Sequence, residues 1–118
     1  MTAALSVQAP ADWRAICRLD DLLPGRGAGA LLDGEQIALF LLPDGTPYAV
    51  GNYDPYSRAY VMSRGLVGSR GDIPTVASPI YKNVFDLRTG QPLDDPDGPA
   101  LPTYQARVTE HAVEVRLR

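Results

Sequence analysis

Residues 28–52 read AGALLDGEQIALFLLPDGTPYAVGN, and two turn signals inside that stretch restrict the fold more than any other feature of the chain. Asp33-Gly34 separates two apolar runs, and both residues tolerate the positive φ that a two-residue hairpin turn demands. The Pro43-Asp44-Gly45-Thr46 segment repeats the device and sends PYAVGN back alongside IALFLL. A three-stranded antiparallel meander is therefore predicted. Near the C-terminus TYQARVTEHAVEVRLR alternates with period two. Tyr104, Ala106 and Val108 share one face, then Val113, Val115 and Leu117, while Gln105, Arg107, Glu114 and Arg116 take the other. That pattern describes a half-buried hairpin turning at Glu110 and His111, with His111 an exposed turn residue.

Ahead of the meander, WRAICRL reads as an opening strand and RLDDLLPGRG as one helical turn stopped by Pro24-Gly25. Between the meander and the last hairpin lies a segment rich in Gly, Pro and Asp, with short strand-like pieces near residues 75–77 and 84–87. No internal repeat and no long segment of period 3.6 occurs. The expected class is all-β, a small sandwich or partly open barrel of antiparallel strands with a short helical turn.

At 118 residues, with 45% hydrophobic and 21% charged side chains, the chain has the size and composition of one folded domain. Residues 1–10 carry no periodic pattern and are expected to be flexible, leaving 11–118 as the domain. A net charge of −3 disfavours nucleic acid as a partner. No apolar run approaches the roughly 20 residues that span a bilayer, and MTAALSVQAP lacks the basic start and long apolar run of a secretion signal. A cytoplasmic protein with no membrane association is the expectation. Cys17 is the only cysteine and His111 the only histidine, so an intrachain disulfide, a zinc site or an iron-sulfur ligand set cannot be assembled from Cys and His here. The chain is expected to bind no cofactor.

Two loops of the middle segment are arranged in an informative way. Asn52-Tyr53-Asp54-Pro55 follows a strand, and Ser78-Pro79-Ile80-Tyr81 precedes one, with FDLRTG shortly after. The arrangement resembles the Rieske domain, whose two loops carry Cys-x-His and Cys-x-x-His around a two-iron cluster. Asn52 and Asp54 stand where the first pair belongs, and Ser78 and Tyr81 where the second does. More narrowly, NYDPYSRAYVMSRGLVG together with VASPIYKNVFDLRTGQPLDDP resembles the small-subunit family of cytoplasmic NAD(P)H-dependent nitrite reductases, a Rieske-like family without cluster ligands. The resemblance runs from about Trp13 to the C-terminus. It departs after Gly90, where Pro92 stands in place of an expected cysteine, so no thiol acts there.

The resemblance implies a large catalytic subunit as partner. That subunit would carry FAD, an iron-sulfur cluster and sirohaem, and would reduce nitrite to ammonium in nitrate assimilation, with no redox centre in the small subunit. A different reading is an autonomous module binding a small ligand or a protein on a degenerate Rieske fold. A third makes Asp54, Tyr81 or Lys82 an acid and base of an independent enzyme, but no nucleophile with a paired base is visible.

With the cluster ligands replaced, hydrogen bonds and packing must hold the two loops together. Asp54, kept extended by Pro55, is expected to accept bonds from neighbouring amides. Tyr81 is expected to fill the space of a cluster with its ring, the alternative being contact with a substrate. Lys82 reads either as an ion-pair partner across a subunit interface or as a solvated loop lysine. Residues 62–74 read as a long irregular connection made locally cationic by Arg64 and Arg70, and thus as a docking loop for a partner or a flexible one. DDPDG, residues 94–98, lacks the spacing of a calcium loop and reads as a turn.

Overall fold

A computed structural model describes residues 13–116; the expectation for residues 1–10 and the placement of Leu117 lie outside the described residues. In chain order the strands are β1 Trp13–Arg18, β2 Gly27–Leu32, β3 Glu35–Leu41, β4 Pro47–Gly51, β5 Tyr53–Asp54, β6 Ala59–Tyr60, β7 Leu66–Arg70, β8 Ile73–Ala77, β9 Val84–Asp86, β10 Thr103–Thr109 and β11 Ala112–Arg116. Two 3-10 turns, Leu19–Asp21 and Met62–Arg64, are the helical pieces among the described residues. The fold is all-β and antiparallel. Its sheets run β1-β11-β10-β4-β3-β2, β9-β8-β7 and β5-β6. None of the described helices is long and apolar enough to cross a membrane.

The meander forms as its turn signals require. Asp33 and Gly34 take φ of 49° and 83°, closing β2 on β3 with Leu32 opposite Glu35. Glu110 and His111 take φ of 50° and 72°, placing Val108 opposite Val113 in the β10–β11 hairpin. Positive φ at these two positions is unfavourable for residues with a Cβ, and the ladder on either side holds them there.

Strand β3 explains why IALFLL is apolar without alternation. Ala38 and Phe40 face one cluster with Val50, Met62, Val76, Phe85 and Leu87, between the six-stranded and three-stranded sheets. Ile37 and Leu39 face a second cluster with Leu32, Ala49 and Val115, inside the curl of the larger sheet. A strand covered on both faces reads as a continuous hydrophobic run. The curl brings the two edge strands, β1 and β2, to opposite sides of a cavity of about 490 Å³. Arg14 spans it, its guanidinium donating to both carboxylate oxygens of Asp33 at 3.2 Å.

Residues 62–74 are not the irregular connection that their glycines suggest. After the Met62–Arg64 turn they form β7 and the start of β8, a hairpin in which Arg70 pairs with Ile73. Of the turn residues Gly71-Asp72, Gly71 takes φ of 58°, and Gly-Asp is itself a hairpin signal. Gly68 and Pro74 inside the strands conceal it.

Gly90 anchors the long connection to β10. Its φ is 79°, its N–H donates to the Asp86 carbonyl at 2.7 Å, and its carbonyl accepts from the Leu101 N–H at 2.9 Å. A Cβ here would lie 2.0 Å from the Leu101 carbonyl oxygen. Gly90→Ala should therefore lower the unfolding free energy by at least about 2 kcal/mol in urea denaturation; an unchanged midpoint would show that this junction is not tied as described.

Candidate functional site

The candidate site lies where the loop after β4 meets the loop after β8. Asn52 leaves β4 with its N–H donating to the Gln36 carbonyl at 3.0 Å and its carbonyl accepting from the Met62 N–H at 3.0 Å. Its side-chain oxygen accepts from the Ser63 N–H at 2.7 Å, and its amide nitrogen donates to Gln36 Oε1 at 3.2 Å. This closes residues 52–63 into a loop with buried Asn52 at its base. The loop sits tightly on β2, since a Cβ on Gly27 would lie 2.2 Å from the Ser63 carbonyl oxygen.

Asp54 is wholly buried at the heart of the site. Its Oδ1 accepts from the Tyr56 N–H at 2.9 Å, and its Oδ2 from the hydroxyls of Ser57 at 2.7 Å and Ser78 at 2.5 Å. The Ser78 hydroxyl in turn accepts from the Ile80 N–H at 3.2 Å. Burial by itself pushes the Asp54 carboxyl up, but the bonds from Ser78, Ser57 and the Tyr56 amide outweigh it and hold the pKa below the ordinary value. The carboxylate therefore stays ionised and acts as the acceptor to which both loops are fastened.

Tyr81 does not fill the space between the loops. It is 65% exposed, because the chain at Ser78–Asn83 turns back on itself, with the Lys82 N–H donating to the Ser78 carbonyl and the Ser78 N–H to that of Asn83. The inward aromatic is Tyr56, whose ring lies 5.9 Å from that of Phe85 and whose hydroxyl donates to Asp95 at 2.7 Å. Burial first and then the Asp95 carboxylate push the Tyr56 pKa up to about 12.

The cationic candidates part company. Arg70 makes a bidentate pair with Asp94, both bonds 2.7 Å, so its guanidinium is engaged within the chain. Arg64 and Lys82 are exposed and have no side-chain partner among the described residues. The DDPDG segment is a turn that supplies Asp94 to Arg70 and Asp95 to Tyr56. Tyr56 is separated from Asp95 by 39 positions, a distance at which no local pattern speaks.

Comparison with known proteins follows the same lines. Residues 12–116 match the family described as the Rieske-like [2Fe-2S] domain. The nitrite reductase (NADH) small subunit of Salmonella typhimurium is 39% identical over 105 residues, covering 88% of this chain and 96% of that one. The chain belongs to the Rieske-like family of nitrite reductase small subunits. A crystal structure of a Mycobacterium tuberculosis chain described as an NADH-dependent nitrite reductase small subunit superposes with a TM-score of 0.84 at 52% identity, covering 93% of this chain and 96% of that one. A segment of the Klebsiella oxytoca NAD(P)H nitrite reductase large subunit is also similar, 48% identical over 82 residues, which are 70% of this chain and 8% of that one.

A [2Fe-2S] centre, implied by the wider Rieske fold, does not fit the residues present. Its irons take thiolate and imidazole ligands, whereas the facing positions in this small-subunit chain offer an amide, a carboxylate, a hydroxyl and an outward phenol. The first three are spent on one another and on backbone amides. Cys17 lies on β1 and His111 in the β10–β11 turn, away from both loops. Among the described residues no group of three or more His, Cys, Asp or Glu could hold a metal ion.

Asp54→Ala should destabilise the protein by about 1–3 kcal/mol in chemical denaturation. Combined with Ser78→Ala it should cost clearly less than the sum of the two single effects. Because the folded pKa of Asp54 is depressed, its contribution is present above the ordinary carboxyl value of 3.8 and is lost as pH falls through the folded value. The stability gap between wild type and Asp54→Ala should therefore shrink below pH 3.8; a gap independent of pH would contradict the bonding described.

Proposed function

We propose that this chain is the cofactor-free small subunit of a cytoplasmic NAD(P)H-dependent nitrite reductase of nitrate assimilation. Its partner is the large catalytic subunit, which carries FAD, an iron-sulfur cluster and sirohaem and reduces nitrite to ammonium. The observation that carries this reading is the near end-to-end likeness to the Salmonella small subunit, at 39% identity and 96% of that chain's length. The Klebsiella large subunit, with a stretch 48% identical to this chain, supports the choice of partner, because in that protein a similar sequence is part of the large chain itself.

The site geometry supports a supporting rather than an electron-carrying role. Of the degenerate ligand positions, Asp54 and Ser78 are consumed in joining the two loops and Asn52 in closing the base of its own, and among the described residues no nucleophile stands beside a free base. The space between the loops is occupied by Asp54, Ser57 and Ser78 themselves, which argues against a small ligand seated there. The loops instead form one rigid outer face on the β framework, as a subunit that organises another polypeptide requires.

Mixing the purified chain with its large subunit should raise NADH-linked nitrite consumption above that of the large subunit alone, while the chain by itself consumes none. Purified chain should also carry no stoichiometric iron or sulfide. A large subunit fully active alone and unaffected by the chain would reject the subunit reading; stoichiometric iron and sulfide would reject the cofactor-free part.

A further inference from the structure

Around the Asp54 and Ser78 contact the molecule turns apolar side chains outward. Among the described residues five of the eight large hydrophobics that stand exposed belong here: Tyr53, Tyr60, Leu66, Ile80 and Tyr81. Tyr53 and Tyr60 face each other across β5 and β6, their rings 5.0 Å apart. Leu66 pairs with Ala77, the residue before Ser78, and Ile80 donates its N–H to the Ser78 hydroxyl. Exposed apolar side chains gathered in this way mark an interaction surface.

The same end is cationic in an acidic chain. Between residues 55 and 71 and between 73 and 85 there is no Asp or Glu, and Asp54 is buried. The two loops close alike: the Arg58 N–H donates to the Asp54 carbonyl at 2.7 Å, and the Lys82 N–H to the Ser78 carbonyl at 3.1 Å. Arg58 and Lys82 take φ of 59° and 64°, a left-handed conformation that favours Gly or Asn and is strained for a long side chain. Strain of this kind collects where function requires a particular side chain. Neither side chain has an acidic partner among the described residues, nor does that of Arg64.

We propose that this face is where the large subunit docks, the tyrosine pair, Ile80 and Tyr81 forming an apolar centre and Arg58, Arg64 and Lys82 a cationic rim that meets carboxylates of the partner. The inference rests on the small-subunit reading above and adds the surface and its chemistry. Charge chooses the occupant. A two-fold contact between copies of this chain would set these cations against their own equivalents, and Glu35, the carboxylate beside the tyrosine pair, already accepts from the Tyr104 hydroxyl. An acidic partner surface pairs them without removing any bond inside the loops.

The test is calorimetric titration of the full chain into the purified large subunit. The variants are Arg58→Asn combined with Lys82→Asn, in which Asn accepts the left-handed turn and removes only charge and length, and separately Tyr81→Ser, which alters an exposed side chain. Each should bind at least about tenfold more weakly than wild type, with a melting temperature no lower than that of wild type. Wild-type affinity should fall as salt rises, and the double variant should lose most of that dependence. Leu31→Ser, which removes an exposed apolar side chain on β2, should bind as wild type does. If wild type binds while the loop variants bind equally well, or if Leu31→Ser is the weakened one, the docking face is elsewhere and the subunit reading stands. A wild-type chain with no affinity for the large subunit removes both. Loop variants that lose self-association of this chain and keep their affinity for the large subunit overturn the proposal in favour of a second copy.

Discussion

The hydrogen bond from the Ser78 hydroxyl to the Asp54 carboxylate, 2.5 Å long and sealed from solvent, is the contact on which the candidate site depends. It joins a loop that leaves the six-stranded sheet through β4 to a loop that leaves the three-stranded sheet through β8. A bond to an ionised acceptor is stronger than a neutral one, and low surrounding dielectric strengthens it further. The same burial would make an unpaired carboxylate expensive. Asp54 is therefore acceptable only with its donors in place, and Ser57, Ser78 and the Tyr56 amide supply them. A metal cluster would join two loops through coordination bonds; here the same geometric task falls to the Asp54 carboxylate and the Ser78 hydroxyl.

This choice of fastener shapes the outer surface. Since the polar groups at the base of the loops are satisfied inward, the residues beyond them are free to face out, and they are aromatic, aliphatic and basic. The framework behind is stiff. β3 is buried on both faces and links the two core clusters, while Tyr56 to Asp95 and Arg70 to Asp94 tie residues 94–95 to the loop and to β7. A surface on such a framework gives up little conformational entropy on binding.

The sequence discloses most where structure is local. The Asp33-Gly34 and Glu110-His111 hairpins follow from turn chemistry and alternation, and the unbroken IALFLL run is the trace of a strand buried on both sides. What joins these pieces is not local: β10 meets β4 through Tyr104 opposite Ala49, and β1 meets β11 through Val113 opposite Cys17, and no period marks such pairings. The β7–β8 hairpin is hidden by glycine and proline within its strands, although Gly71-Asp72 announces its turn. At the site, the loops around Asp54 and Ser78 stand out through residue order and family resemblance. The inward place of Tyr56 and the outward one of Tyr81 do not, because an α-turn closed by the N–H of a left-handed Lys82 on the Ser78 carbonyl decides where Tyr81 points.

Amide hydrogen exchange on chelator-treated, metal-free protein probes the central claim most directly. The amides of Tyr56, Arg58, Ile80 and Lys82 each donate within the two loops, so slow exchange at all four is expected with no metal supplied. Free exchange at these positions, or protection that arises only on adding iron, would mean that side chains alone do not hold the loops together.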